Sequence, residues 1–169
     1  MLFFDALNLP VKIETDPSVV RKKYLQKSRE SHPDFYTLTS KDARYKSLEK
    51  STLITNAYAT LRDFDKRLKY ILEEENVIAA DENAQLPPEF LMEMMDFNDK
   101  IMEASDKEER EQLRQQIDQL EEECKHEAQT AINEFDNGGR SKNTLAQLKE
   151  FYMKKRYLWR LGKQLKDMS

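Results

Sequence analysis

Apolar residues recur at helical spacing along almost the whole chain. Phe3, Phe4, Leu7 and Leu9 predict a short amphipathic helix closed by Pro10. Thr15-Asp16-Pro17 predicts the start of a second helix, because an Asp16 carboxylate can cap exposed amides and Pro17 has no N–H to cap. That helix runs to about Ser31, with Val20 and Tyr24 facing inward and Ser28 and Ser31 continuing the face. Pro33 disfavours helical geometry in the residue before it, so a mobile loop over 33–39 is expected. Ser40 is placed to cap a third helix whose inward positions read as Tyr45, Leu48, Ile54, Ala57, Tyr58 and Leu61. Arg62-Asp63 marks its end. A shorter helix with Leu68, Ile71 and Leu72 then leads into Glu73-Glu74-Glu75 and a polar linker.

Pro88 suits the first turn of the next helix, which extends to about Ala104. Phe90, Met94, Phe97 and Ile101 fall within about 60° of one another, enough for a bundle core. Leu91, Met95 and Met102 form a further stripe roughly 100–130° around, with Met92 beyond it. So wide an apolar arc can pack between two neighbours. The preferred reading is an exposed, adaptable docking surface rimmed by Asp96 and Asp99. Ser105 and Glu108 have capping-box spacing before a long helix to about Phe135. On it Leu113, Ile117, Leu120, Cys124, Ala131 and Phe135 share one face, with His126 opposite. Gly138-Gly139 supplies a reversal into a last helix from near Ser141, whose inward stripe reads Leu145, Leu148, Tyr152 and Trp159, with Phe151 turned aside. The expected fold is all-α: a helical unit over 1–75, a linker over 76–87 and an antiparallel three-helix bundle over 88–169.

Composition agrees with helices, since only three Gly and five Pro interrupt 169 residues. Charged residues are 36% of the chain against 38% hydrophobic, which suits narrow helical seams better than one large core. The net charge of −4 lies in the second half: residues 1–75 carry 14 Lys/Arg and 12 Asp/Glu, residues 76–169 carry 14 and 20. An acidic surface repels phosphate backbones, so no nucleic-acid partner is expected. No cationic segment followed by an apolar run opens the chain and no apolar stretch reaches membrane-spanning length, so a cytoplasmic setting without membrane attachment is expected. Cys124 is the single cysteine, and it points away from His126 on its helix. Neither a disulfide within the chain nor a cysteine-built metal site follows from it. Two histidines, no activated nucleophile and no Gly-rich phosphate loop give no catalytic constellation, so no enzyme activity and no cofactor are expected.

One tripeptide stands out, His32-Pro33-Asp34, between the second and third helical segments. Three specified residues arise by chance in roughly 2% of chains this long, so the surroundings must decide its meaning. Pro33 stiffens the loop, His32 offers ring nitrogens and Asp34 an acceptor that can pair with arginine. The preceding helix carries Arg21, Lys22, Lys27 and Arg29, a surface able to steer an acidic partner. In order and spacing, Phe4 to Leu9, His32-Pro33-Asp34, Asn56-Ala57-Tyr58, Leu61 and Arg67-Leu68-Lys69-Tyr70 resemble the J-domain pattern. The segment from Phe90 to Phe97 resembles the opening of the C-terminal bundle of the HscB family, co-chaperones of iron-sulfur cluster assembly.

That resemblance implies a two-site adaptor. His32, Pro33 and Asp34, with Arg21, Lys22, Lys27 and Arg29 as a group, would engage an ATP-dependent chaperone of the DnaK/HscA class and stimulate its ATP hydrolysis. Leu91, Met92, Met95, Asp96 and Asp99, with Phe151 from the last helix, would bind an IscU-like iron-sulfur scaffold. Tethering the two contacts raises the effective concentration of the second. Two departures from the pattern stand out. Leu25-Gln26 replaces the basic pair that familiar J-domains carry after the buried tyrosine, and these 169 residues hold no counterpart of the paired-cysteine module of some HscB relatives. The alternative is a general J-domain co-chaperone for unfolded clients.

Overall fold

The computed structural model describes residues 1–31, 41–79 and 86–168, and no strand occurs among them. Their helices are α1 (Leu2–Leu7), α2 (Pro17–Glu30), α3 (Lys41–Leu61), α4 (Phe64–Glu74), α5 (Pro88–Glu103), α6 (Lys107–Asp136) and α7 (Lys142–Asp167). They divide into two compact units, one of Met1–Asn76 with Phe135–Gly138 and one of Val77–Glu134 with Gly139–Ser169. The all-α expectation holds.

In the first unit α3 is the element against which α1, α2 and α4 pack. The short α1 stops where Asn8 turns left-handed (φ 52°), a conformation that asparagine tolerates better than most residues. Its Phe4 and Leu7 are fully buried. The Phe3 ring stacks on Tyr70 at 4.6 Å between centroids, and the Tyr70 hydroxyl accepts the Phe3 N–H at 3.1 Å. As the sequence predicts, α2 starts with Asp16 accepting the Ser18 N–H at 2.8 Å and Pro17 in the first turn. The α2–α3 pair is held by Val20 and by Tyr24 stacked on Tyr58 at 4.2 Å. Asp63 caps α4 by accepting the Lys66 N–H at 2.9 Å. Leu68, Ile71 and Leu72 then bury completely.

Two inward assignments on α3 are corrected. Tyr45 and Leu48 are 63% and 57% exposed, while Ser47 is buried. At about 100° per residue Tyr45 lies roughly 180° and Leu48 roughly 120° from Ile54, whereas Ser47 lies within about 20° of it. The inward line is therefore Ser47, Ile54, Ala57 and Leu61. Ser47 satisfies its buried hydroxyl by donating to the Ser31 carbonyl at 3.1 Å, which fastens the end of α2 to α3.

The second unit is a three-helix bundle. Phe90, Met94, Phe97 and Ile101 of α5 bury as predicted. On α6 Leu113, Ile117, Cys124, Ala128, Ala131 and Ile132 face the interior. The expected capping box is displaced by one residue: Asp106, not Ser105, accepts the Glu109 N–H at 2.9 Å, and Glu109, not Glu108, reaches back to the Ser105 N–H at 2.9 Å. Asp outranks neighbouring positions as a cap because its charged oxygens are also favoured at a helix N-terminus. Antiparallel pairing of α6 with α7 is marked by Thr144 donating to Glu134 at 2.7 Å near the turn, Lys154 meeting Glu127 at 3.2 Å, and Arg110 donating to the Met168 carbonyl at 2.7 Å. In the reversal itself a Cβ on Gly139 would lie 2.9 Å from the Glu134 carbonyl oxygen, so the close approach requires glycine.

The stripe on α7 is also corrected. Leu148 and Tyr152 are buried, but Phe151, Leu158, Leu161 and Leu165 complete the interior and Trp159 is 59% exposed. Trp159 lies about 100° around the helix from Leu158, outside an arc already filled by leucines.

Candidate functional site

The first candidate site is only partly visible. His32, Pro33, Asp34, the loop expected over 33–39 and the cap assigned to Ser40 all lie outside the described residues. What is described is the helix leading to them. Arg21, Lys22 and Arg29 are exposed on α2, and Lys22 and Arg29, seven residues apart, project from nearly the same side. Lys27 does not join them. It is half-buried and tied to Glu30 at 2.9 Å. Glu30 also accepts from Gln26 at 3.0 Å. The hydrogen bond from Lys27, then that from Gln26, holds the Glu30 carboxylate below its ordinary range. Among the described residues, three of the four cations expected as a group are exposed and one is engaged within the helix.

Arg67 belongs to the foundations of this unit. Its guanidinium is buried, donating from Nε to the Ile13 carbonyl at 2.7 Å and from a terminal nitrogen to the Leu61 carbonyl, with the Phe64 ring 5.7 Å away. Burial pushes its pKa down, and nearby carboxylates, Asp63 among them, oppose the shift. One side chain therefore closes the end of α3 and the chain segment before α2.

The second candidate site is a face of α5. Opposite the buried stripe, Leu91 is 37% exposed and Met92, Met95 and Met102 are 66%, 64% and 66% exposed. Asp96 and Asp99 are exposed beside them. Four unbranched or flexible apolar side chains open to solvent on one helix form an adaptable surface with an acidic rim. The helix beneath is rigidly seated. Phe90 meets Tyr157 edge-on at 6.0 Å, and the Lys154 ammonium lies 5.7 Å from the Phe90 ring centre while pairing with Glu127 and Glu150. Burial works against the Lys154 charge, but its hydrogen bonds to Glu150 and Glu127 outweigh that and raise its pKa. Phe151 is corrected here: at 3% exposure it belongs to the bundle interior and offers no ring to the surface. With Leu148, Leu158 and Leu161 it completes the α7 core, so a turn expected to aim aside is aimed inward.

Cys124 is buried, and its thiol is pushed up to about 11 chiefly by desolvation. His126 is exposed on the other side of α6. Among the described residues no group of three or more His, Cys, Asp or Glu side chains is arranged to hold a metal ion, and no helix is long and apolar enough to cross a membrane.

Comparison with known proteins adds the following. Residues 86–166 match the family model described as the HSCB C-terminal oligomerisation domain. The chain is 29% identical over 107 residues to a protein of Photobacterium profundum named co-chaperone protein HscB homolog, covering 63% of each chain. It is 32% identical over 115 residues to a protein of Arabidopsis thaliana named iron-sulfur cluster co-chaperone protein HscB homolog, covering 68% of this chain and 46% of that one. The matched region thus spans less than two thirds of these relatives' length. In fold it resembles chaperone HscB from Vibrio cholerae, with a TM-score of 0.75 at 19% identity over 99% of this chain and 97% of that one. It also resembles human co-chaperone protein HscB, with a TM-score of 0.79 at 23% identity over 98% and 81%. At such identities the two structures speak to the fold. Together the comparisons agree: residues 86–166 belong to the HscB C-terminal domain family, and the chain is similar in fold to HscB co-chaperones.

Proposed function

We propose that this chain is a co-chaperone of iron-sulfur protein assembly, without enzymatic chemistry of its own, that binds an IscU-like scaffold and delivers it to an ATP-dependent chaperone of the DnaK/HscA class. Residues 1–75 act as the J-domain, and 88–169 bind the scaffold. The observation that carries this reading is the doubled apolar face of α5, one stripe buried and the other open. A helix that needed only to hold a bundle together would not expose Leu91, Met92 and Met95 above a core already complete. Asp96 and Asp99 at the rim would select orientation more than supply affinity. Phe151, buried in the bundle interior, supports this face from beneath.

At the other site His32, Pro33 and Asp34 contact the chaperone, with Arg21, Lys22 and Arg29 steering it and Lys27 contributing once released from Glu30. Stimulated ATP hydrolysis then takes place entirely in the partner. The names of the relatives support this assignment, as does the order of the tripeptide between the two helices.

The test is the chaperone's ATPase rate with and without scaffold. His32→Gln is expected to abolish stimulation and leave scaffold binding intact, while the Leu91/Met92/Met95→Ala triple variant is expected to do the reverse. Full stimulation by His32→Gln would overturn the mechanism. Equal binding of scaffold and of unrelated denatured proteins would instead favour a general co-chaperone.

A further inference from the structure

Charge is unevenly divided within the second unit. α7 carries eight Lys/Arg against two Asp/Glu, whereas α6 carries ten Asp/Glu against four Lys/Arg and α5 five against one. On the outer side of the last turns of α7, Arg156, Trp159, Arg160, Lys163 and Lys166 are all exposed. At about 100° per residue they fall within roughly 120° of arc, on the side away from Leu158, Leu161 and Leu165. Trp159 is the only tryptophan of the chain. The Lys163 ammonium lies 5.8 Å from the Trp159 ring centre, and the Arg160 guanidinium 5.0 Å from that of Tyr157. No salt bridge among the described residues engages the four cations.

A large indole left in water amid unpaired cations has a cost that the bundle does not need to bear. The α7 core is complete without it. We propose that this face docks an acidic protein segment that presents an apolar side chain to Trp159 and carboxylates to Arg156, Arg160, Lys163 and Lys166. Charge complementarity argues for a segment and not a broad polyanion. The basic strip is one helix wide, about 10 Å, and α6 runs directly alongside, its Glu121 within 3.9 Å of Lys155. A duplex or a bilayer surface would set its phosphates against the acidic α6 as well, and repulsion there offsets the attraction at α7. A single acidic helix or strand fits within the strip. The site lies on a different helix from the open face of α5, although Gln164 beside Lys163 donates to the Met102 sulfur of that face at 3.8 Å.

The single tryptophan makes the test direct. A synthetic peptide of Asp and Glu with two central leucines and no aromatic residue is titrated into the full chain while indole emission is recorded. Saturable change in intensity and a blue shift are expected, weakening about tenfold or more between about 0.05 and 0.5 M salt. Arg160→Glu/Lys163→Glu should weaken binding about tenfold or more, and Trp159→Leu should do so by isothermal titration. Leu91/Met92/Met95→Ala should leave it unchanged. Because all substituted side chains are exposed, far-UV circular dichroism should show wild-type helicity for each variant. No spectral change at millimolar peptide overturns the proposal. So does tighter binding to a single-stranded oligonucleotide or to phosphatidylserine vesicles than to the peptide, or a shielded indole in a dimer of the chain seen by sedimentation.

Discussion

The Arg67 guanidinium donates to the Ile13 carbonyl at 2.7 Å across 54 positions of sequence, and both partners are out of solvent. A second bond to the Leu61 carbonyl makes this one side chain the closure for two backbone groups. Arg67→Met keeps the stem and removes the donors. It should destabilise the first unit by about 2–4 kcal/mol, because two carbonyls lose partners where water cannot replace them. Arg67→Lys should recover little, since an ammonium cannot reproduce a fork. Denaturant unfolding followed by amide exchange around Leu68 and Leu72 would measure both.

Tyr24 and Tyr58 stack at 4.2 Å with 15° between planes, and Arg62 lies 5.3 Å from the Tyr58 ring centre. A double-mutant cycle with Tyr24→Leu and Tyr58→Leu should return a coupling of about 0.5–1.5 kcal/mol. A coupling near zero would mean that the rings contribute only area.

The displaced capping box gives a sharp comparison. Asp106→Ala should cost about 0.5–2 kcal/mol in thermal unfolding of the bundle, while Ser105→Ala should cost a few tenths at most, since Ser105 is bonded through its backbone and its hydroxyl reaches Glu109 only at 3.4 Å. Equal costs would restore Ser105 as the cap.

Methionines on α5 separate binding from stability. Met94 is fully buried, so Met94→Ala should cost about 2–5 kcal/mol. Met92→Ala and Met95→Ala remove exposed side chains and should stay within about 0.5 kcal/mol of wild type. If the latter two prove as costly as Met94→Ala, the open face is structural.

Cys124 gives a pH dependence with a defined sign. Its folded thiol is raised from 9.0 to about 11, so the folded chain holds this proton in a range where the unfolded chain releases it. Stability present in full below pH 9 should therefore decline as pH rises to about 11, and then decline no further on this account. Subtracting the pH profile of Cys124→Ala isolates the contribution. A flat difference between pH 9 and 11 would show that the thiol is not desolvated.

By itself the sequence determined the helical register of most of this protein, because apolar spacing, Asp16, Asp63, Ser141 and Pro88 are local signals whose physics acts within one or two turns. The buried stripe of α5 and the wide arc beside it were legible for the same reason. Tertiary structure decided which of two apolar arcs faces inward when both are plausible. Tyr45 and Leu48 read as core but stand in water, because Ser47 can bury by bonding to Ser31 on a neighbouring helix. Phe151 and Trp159 exchanged places with expectation: Phe151 lies within about 20° of Leu158 on the buried side, while beside Trp159 the interior is filled by Leu158, Leu161 and Leu165. The role of Arg67 was likewise invisible locally, since its acceptors at Ile13 and Leu61 are brought to it only by folding. The pairing of Lys27 with Glu30 is a local three-residue contact, yet it took side-chain geometry to show that it withdraws one cation from a surface counted as four.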